Sequence, residues 1–249
     1  MRGLYRLYNI SVDVFWAMLL FVLPITSMPA VRDLLHINTI ASPSVLFLGI
    51  LAVVWLLPYL IYKGELPVEA LPLVGFLVVC LLSLVLSEFI NIPTFKFAGI
   101  IRPSLSAFVT LLVGIGYLFL TFSRVTTGNA FQRTIFWIYV GGLLMIVWSL
   151  MQSGAWFIFK RYPDWMRDFQ DLLSLGPLYR QRATGFALEP SWLAHMLNML
   201  YLPMWLSAAV TGYSIFGFRL FKRITVEMGL LILGVLTLVL TFSRVGWFT

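Results

Sequence analysis

The chain has 249 residues, of which 61% are hydrophobic and 11% charged, with a formal net charge of +7. A soluble domain is about half apolar and about a quarter charged, so this balance excludes an ordinary soluble protein. Apolar runs of roughly 20 residues are long enough to cross ~30 Å of hydrocarbon as helices, and alternating ten-residue strands are absent. The predicted fold class is therefore all-α, a polytopic transmembrane bundle of about seven spans, and not an outer-membrane barrel.

The positive charge forms no basic run clear of the apolar segments. Nucleic acid is not an expected partner, and loop arginines that orient helices and meet anionic membrane lipid account for the charge. Cys80 is the single cysteine. It cannot build a disulfide framework or a cysteine metal site, and reads as a small hydrophobe inside a span.

In chain order, Arg2 and Arg6 precede an apolar run over 14–31, read as an uncleaved first helix with Asp13, just after Ser11, at its cap. Span two covers 44–62 and span three 71–90, with the turn Lys63-Gly-Glu65-Leu-Pro67 between them. Pro24, Pro58 and Pro72 are expected to kink their helices, and 91–104 is an interfacial loop. Span four, 105–123, carries Gly114 and Gly116, which suit close helix contact. A polar turn over 124–134 leads to span five, 135–159, where Gly141-Gly142 marks a close-packing or bending point.

The loop 160–185 is the longest. From Pro163 it predicts a short helix with Trp165, Met166, Phe169, Leu172 and Leu173 on one face, and Asp164, Arg167, Asp168 and Asp171 on the other. That pattern suits a helix lying in the membrane surface, or a loop packed on the bundle. Span six starts at Pro190, a favoured first helical position, and runs to about Val210. A basic segment with Arg219, Lys222 and Arg223 follows, then span seven over 226–243, with Thr225 as N-cap and Glu227 in the first turn. Spans one to four form an N-terminal part, residues 1–134, and residues 135–249 a second part. The stop at Thr249 with no polar tail reads as a truncated C-terminus. With the N-terminus inside, inner and outer segments carry nearly equal positive charge, because Lys160, Arg161, Arg167, Arg180 and Arg182 share one outer loop.

Those outer cations suggest a purpose. A helix N-terminus at Pro190 offers free amides and partial positive charge to an anion. Arg180 and Arg182 add guanidinium groups suited to phosphate, and Gly185 permits close backbone approach. Arg244 arrives on the same side from the next span, so two arginines can bracket one pyrophosphate. The simpler alternative is that each snorkels to the headgroups. Ser191, His195 and Asn198 share one face of span six, as site residues or as an interhelical bond. Glu189 is expected to pair with Arg182, or to take a proton from an acceptor hydroxyl. No metal-ligand set and no nucleotide-binding glycine loop is present, so no cofactor is expected. The stretches 111–125 and 231–245 match at both ends, but seven spans put Arg124 and Arg244 on opposite sides, and the match reads as coincidence.

The order Arg182-Ala-Thr-Gly185-Phe-Ala-Leu-Glu189-Pro190-Ser-Trp-Leu-Ala194, a span, a basic loop, then Leu238-Val-Leu-Thr-Phe-Ser-Arg244-Val-Gly-Trp247 resembles the start of the core domain of the O-antigen ligase and O-antigen polymerase family. The match covers residues 180–249. The resemblance implies a multi-pass glycosyltransferase of the bacterial inner (cytoplasmic) membrane with a cytoplasmic N-terminus. It would transfer or polymerise glycan from an undecaprenyl-pyrophosphate carrier in lipopolysaccharide, O-antigen or exopolysaccharide biosynthesis, without metal or nucleotide. Arg182 and Arg244 match the family arginines that hold the donor pyrophosphate. The substrate-binding set is then Arg182, Arg244, Arg180, Glu189 and His195, with no catalytic residue assigned. Other implied partners are membrane lipid and polysaccharide assembly proteins. The family continues past the region matching Thr249, with a histidine that activates the acceptor, and Glu189-Pro190-Ser191 leans towards a polymerase. A membrane transporter of a small anion or lipid-linked sugar is the alternative.

Overall fold

The computed structural model describes residues 2–36, 42–63, 71–89, 101–221, 224–244 and 246. The turn expected at 63–67 falls almost wholly outside them, as do most of the loop 91–104, Lys222, Arg223 and Trp247. The described chain is all-α apart from one two-stranded hairpin, Arg219–Phe221 with Ile224–Thr225. Four helices are long and apolar enough to cross a membrane, Pro43–Tyr62, Pro103–Arg124, Gly128–Phe159 and Pro190–Thr211, and Leu71–Ser87 and Val226–Leu240 are shorter apolar helices. These helices make it a membrane protein by length and composition. The chain forms two compact units, Met1–Val12 with Leu48–Gly128, and Asp13–Phe47 with Asn129–Thr249.

The first apolar run does not form one span. Helix α1 is Arg2–Phe21 and a separate helix α2 is Pro29–Leu35. Pro24 has no N–H to continue α1, and Pro29 holds Met28 extended and starts α2. Asp13 accordingly lies in mid-helix and not at a helix start.

In the first unit, α3 (Pro43–Leu51) passes through a π turn, Ala52–Leu56, into α4 (Leu57–Lys63). Pro58 carries no N–H for the carbonyl of Val54 four residues earlier. The Tyr8 hydroxyl donates to that carbonyl at 2.9 Å instead. Pro58 is thus absorbed by a wider turn and a side-chain donor, whereas Pro72 sits in the first turn of α5 (Leu71–Phe89) and kinks nothing. In α6 (Ile101–Arg124), Gly116 lies where a Cβ would touch Leu48 at 3.4 Å, while Gly114 faces open space. Arg124 lies over the Trp55 ring at 5.2 Å. Cys80 is half-buried and lines an apolar cleft of α5 and α6.

In the second unit, α7 (Gly128–Phe159) is the axis. It begins well before the expected start at 135, taking in most of the polar turn. A Cβ at Gly141 would meet the Phe21 carbonyl oxygen at 2.5 Å, and one at Gly142 would meet Tyr201 at 2.5 Å and Trp205 at 2.9 Å. Trp16 donates to Thr134 at 3.1 Å, and the Tyr139 hydroxyl to the Met204 carbonyl at 3.1 Å. Span six is α9 (Pro190–Met196), a π turn Leu197–Tyr201, and α10 (Leu202–Thr211), with the π turn again directly ahead of a Leu-Pro pair. Trp205 also faces α11 (Val226–Leu240), where a Cβ on Gly234 would meet it at 2.8 Å. Tyr201 and Trp205 stack at 5.2 Å and are fully buried, so glycines on two helices form the slot for one aromatic pair.

Gly142→Val should therefore destabilise the fold by about 1–3 kcal/mol through overpacking against rings that cannot yield. Gly114→Ala should be neutral or slightly stabilising, because its methyl meets nothing within 4 Å. Thermal unfolding of the solubilised protein checks both.

Candidate functional site

The long loop is a built structure held from below. Gln152, on α7 and 1% exposed, is its anchor. Its Oε1 accepts from Thr184 N at 3.1 Å, Thr184 Oγ1 at 3.3 Å and Gly185 N at 3.0 Å. Its Nε2 donates to the Gly185 carbonyl at 3.1 Å and to Gln170 Oε1 at 3.1 Å. Gln170 in turn accepts from Trp148 Nε1 at 2.8 Å and donates to the Gly176 carbonyl at 3.0 Å. Two amides thus satisfy one another and the loop backbone, as groups so deeply buried must.

The glycines follow from that anchorage. Gly185 has φ +57°, and a Cβ there would meet Ser149 Oγ at 2.8 Å. A Cβ on Gly176 would run into the carbonyl oxygens of Leu188 and Ala187. The segment freed by the break after α1 serves as a second support: Leu188 N donates to Thr26 Oγ1 at 2.9 Å, and Leu175 N to the Ser27 carbonyl at 3.2 Å.

The expected amphipathic helix is α8 (Asp164–Leu173). Met166 and Gln170 are its buried stripe, while Trp165 and Leu172 remain 55% and 63% exposed. It is packed on the body along one edge and keeps an open apolar edge. Trp148 gathers Trp165, Phe169 and Phe186 around it, with centroids at 6.2, 4.7 and 6.1 Å.

From this seat the loop reaches the end of the last helix. Ala183 N donates to the Leu240 carbonyl at 2.9 Å, and Arg182 Nε to the Thr241 carbonyl at 3.0 Å. Both carbonyls belong to the last turn of α11, whose partial negative charge attracts a cation. Arg182 is thus a C-terminal cap three residues before Arg244, itself exposed. Asn198 Nδ2 donates to the Gly246 carbonyl at 2.9 Å, and a Cβ on Gly246 would meet Ala194 at 2.6 Å. Loop, α9 and the chain after α11 therefore converge.

No family model, curated protein or solved structure matches this chain.

The predicted residues distribute as follows. Arg182 and the turn bearing Arg244 come together. Arg180 is exposed and lines a different feature, a pocket of about 570 Å³ shared with Lys160, Arg161 and Arg167. Glu189 accepts from Ser191 Oγ at 3.1 Å, and no ion pair joins it to Arg182 among the described residues. His195 is exposed on α9, and Asn198 provides the inter-element bond. Arg124 belongs to the other compact unit from Arg244.

Two residues escaped the sequence reading, and a third, Glu227, was read only as first-turn helix chemistry. Gln152 and Gln170 were legible only as polar residues on apolar faces, the type that stays buried when bonded. Glu227 is fully buried; its Oε1 accepts from Ile215 N at 2.7 Å and Ser214 Oγ at 3.2 Å, pinning the connection ahead of α11. Thr225 caps that helix as expected, accepting from Met228 N at 3.3 Å.

Gln152→Leu should leave two loop N–H groups and a carbonyl unpaired, costing about 3 kcal/mol or more. In a Cys80→Ser background, a cysteine replacing the buried Ala187 should then label quickly with a soluble maleimide, and slowly when Gln152 is intact. A second expectation concerns Tyr162, whose hydroxyl donates to the Tyr179 carbonyl at 2.6 Å and whose pKa burial pushes up to about 12. A folded-state pKa above the ordinary value means that the stability it contributes is complete below pH 10 and is lost as the pH rises through about 12. Alkaline titration should lose one late-titrating tyrosine in Tyr162→Phe relative to the parent.

Proposed function

We propose that this protein takes a glycan from an undecaprenyl-pyrophosphate carrier and transfers or polymerises it, in the manner of the O-antigen ligases and polymerases its C-terminal motifs resemble. In this reading α1, the four long apolar helices and the two shorter ones supply seven crossings of the bacterial inner membrane, with the N-terminus cytoplasmic and 160–189 on the outer face. The observation that carries the reading is the pair of bonds from Ala183 and Arg182 to the carbonyls of Leu240 and Thr241. They set two motifs nearly sixty residues apart on one end of the unit, beside the turn that carries Arg244.

The chemistry suits such a place. The leaving lipid pyrophosphate gains charge as the glycosyl bond breaks, and fixed guanidinium groups stabilise that charge without metal or nucleotide. Arg182 uses Nε to cap α11, and no described residue engages its two terminal nitrogens, the fork that reads phosphate in a bidentate way. A capped and therefore oriented arginine is better prepared for this than one that snorkels.

With the intact gene in a host lacking it, Arg182→Ala and Arg244→Ala should each abolish long-chain surface polysaccharide and accumulate carrier-linked intermediates, by about a hundredfold or more in rate. Arg182→Lys keeps the charge and loses the directional cap, and should recover only part of the activity. Unchanged chain length in both alanine variants, or labelling of a cysteine near Arg182 only from the cytoplasm, would overturn the assignment.

A further inference from the structure

The pocket beside Arg180 lies apart from the cap that Arg182 makes. Lys160, Arg161, Arg167 and Arg180 line it, from the end of α7, from α8 and from the loop after α8, against a single carboxylate, Asp171. Like charges brought together from separate elements repel, and the α7 dipole offsets that cost only for Lys160 and Arg161, which directly follow its last turn. Arg167 is drawn at 3.4 Å to Asp164, an exposed neighbour one turn away, and the other three cations make no ion pair among the described residues.

A further observation points to a ligand. The indole N–H of Trp156, on the wall of this pocket, is buried and has no acceptor among the described residues. A buried donor without an acceptor is uncommon and calls for a partner. Lys160 takes the left-handed conformation that ends α7, φ 55°, with its N–H on the Trp156 carbonyl at 2.9 Å, and Gln181 next to Arg180 is left-handed at φ 63°. The bond from Tyr162 to Tyr179 ties the two walls together.

We propose that this pocket binds a phosphate-bearing anion, separately from the Arg182 and Arg244 end of the unit. The guanidinium groups of Arg161 and Arg180 and the Lys160 ammonium meet the phosphate oxygens, and the Trp156 N–H supplies a neutral donor. A volume of about 570 Å³ admits more than one phosphate group, and the Trp156 ring, tilted against Tyr162 with centroids 5.5 Å apart, offers an apolar wall to whatever the phosphate carries. The phosphate belongs to a soluble diphosphate or to a lipid headgroup in the adjoining bilayer.

The test reads Lys160 directly, with the full chain in phosphatidylcholine nanodiscs. Acetylation of each lysine by a water-soluble reagent is followed by peptide mass spectrometry as inorganic pyrophosphate is added. Saturable protection of Lys160, with Lys63 unchanged, is expected, and Arg161→Gln with Arg180→Gln should shift its midpoint by about tenfold or more. Protection that appears only when phosphatidylglycerol replaces part of the phosphatidylcholine identifies the lipid headgroup as the source. Asp171→Asn removes the one opposing carboxylate and should tighten protection in a protein whose arginines are intact. Lys160 reactivity indifferent to both probes, or protected equally in the parent and the double arginine variant, overturns the proposal. The polysaccharide phenotype of Arg182→Ala is a separate readout, so either reading can fail without the other.

Discussion

Everything proposed for the loop after α7 depends on the amide of Gln152. An amide placed deep beside apolar helix faces is costly unless each donor and acceptor is used, and this one is used throughout. Its carbonyl side takes the backbone of Thr184 and Gly185, and its amino side links to Gln170 on α8. One side chain thereby sets the register of the loop against two helices. The position at Gly185 requires glycine, because the turn has φ +57° and leaves no room for a Cβ beside Ser149.

Interruptions in the helices are the second theme, and they are put to use. Pro24 ends α1 and exposes a short extended segment, whose Thr26 and Ser27 then hold the loop at Leu188 and Leu175. Pro58 deprives Val54 of a helical partner, and Tyr8 supplies one. Pro203 follows a π turn that packs Tyr201 and Trp205 into the slot left by Gly142 and Gly234. In each case a missing N–H or a missing side chain is matched by a group from another element, so the irregularity locks two elements together.

The loop cations separate into two roles. Arg182 meets the negative end of the α11 dipole, a structural position that also orients its guanidinium. Lys160, Arg161, Arg167 and Arg180 gather on another surface, against mutual repulsion. Glu227 shows the same economy with the opposite sign: a buried carboxylate in the first turn of α11, favoured there by the dipole, gathers the backbone and hydroxyl of the preceding connection.

Much of the architecture was legible in the residues alone. Apolar length predicted the helices, Pro190 and Thr225 marked two of their starts, Gly141 and Gly142 marked a close contact, and the spacing after Pro163 predicted α8. These features depend on hydrophobic burial, backbone stereochemistry and capping, which act within a few residues. The continuous first span and the cap at Asp13 did not hold, because Pro24 and Pro29 interrupt the run and apolar length alone does not weigh them. Tertiary structure alone decided that Gln152 and Gln170 meet, that Glu189 turns to Ser191, and that Arg180 and Arg182 serve different surfaces. Each of those outcomes depends on which buried polar groups find one another across long stretches of chain, and local sequence carries no record of a partner that far away.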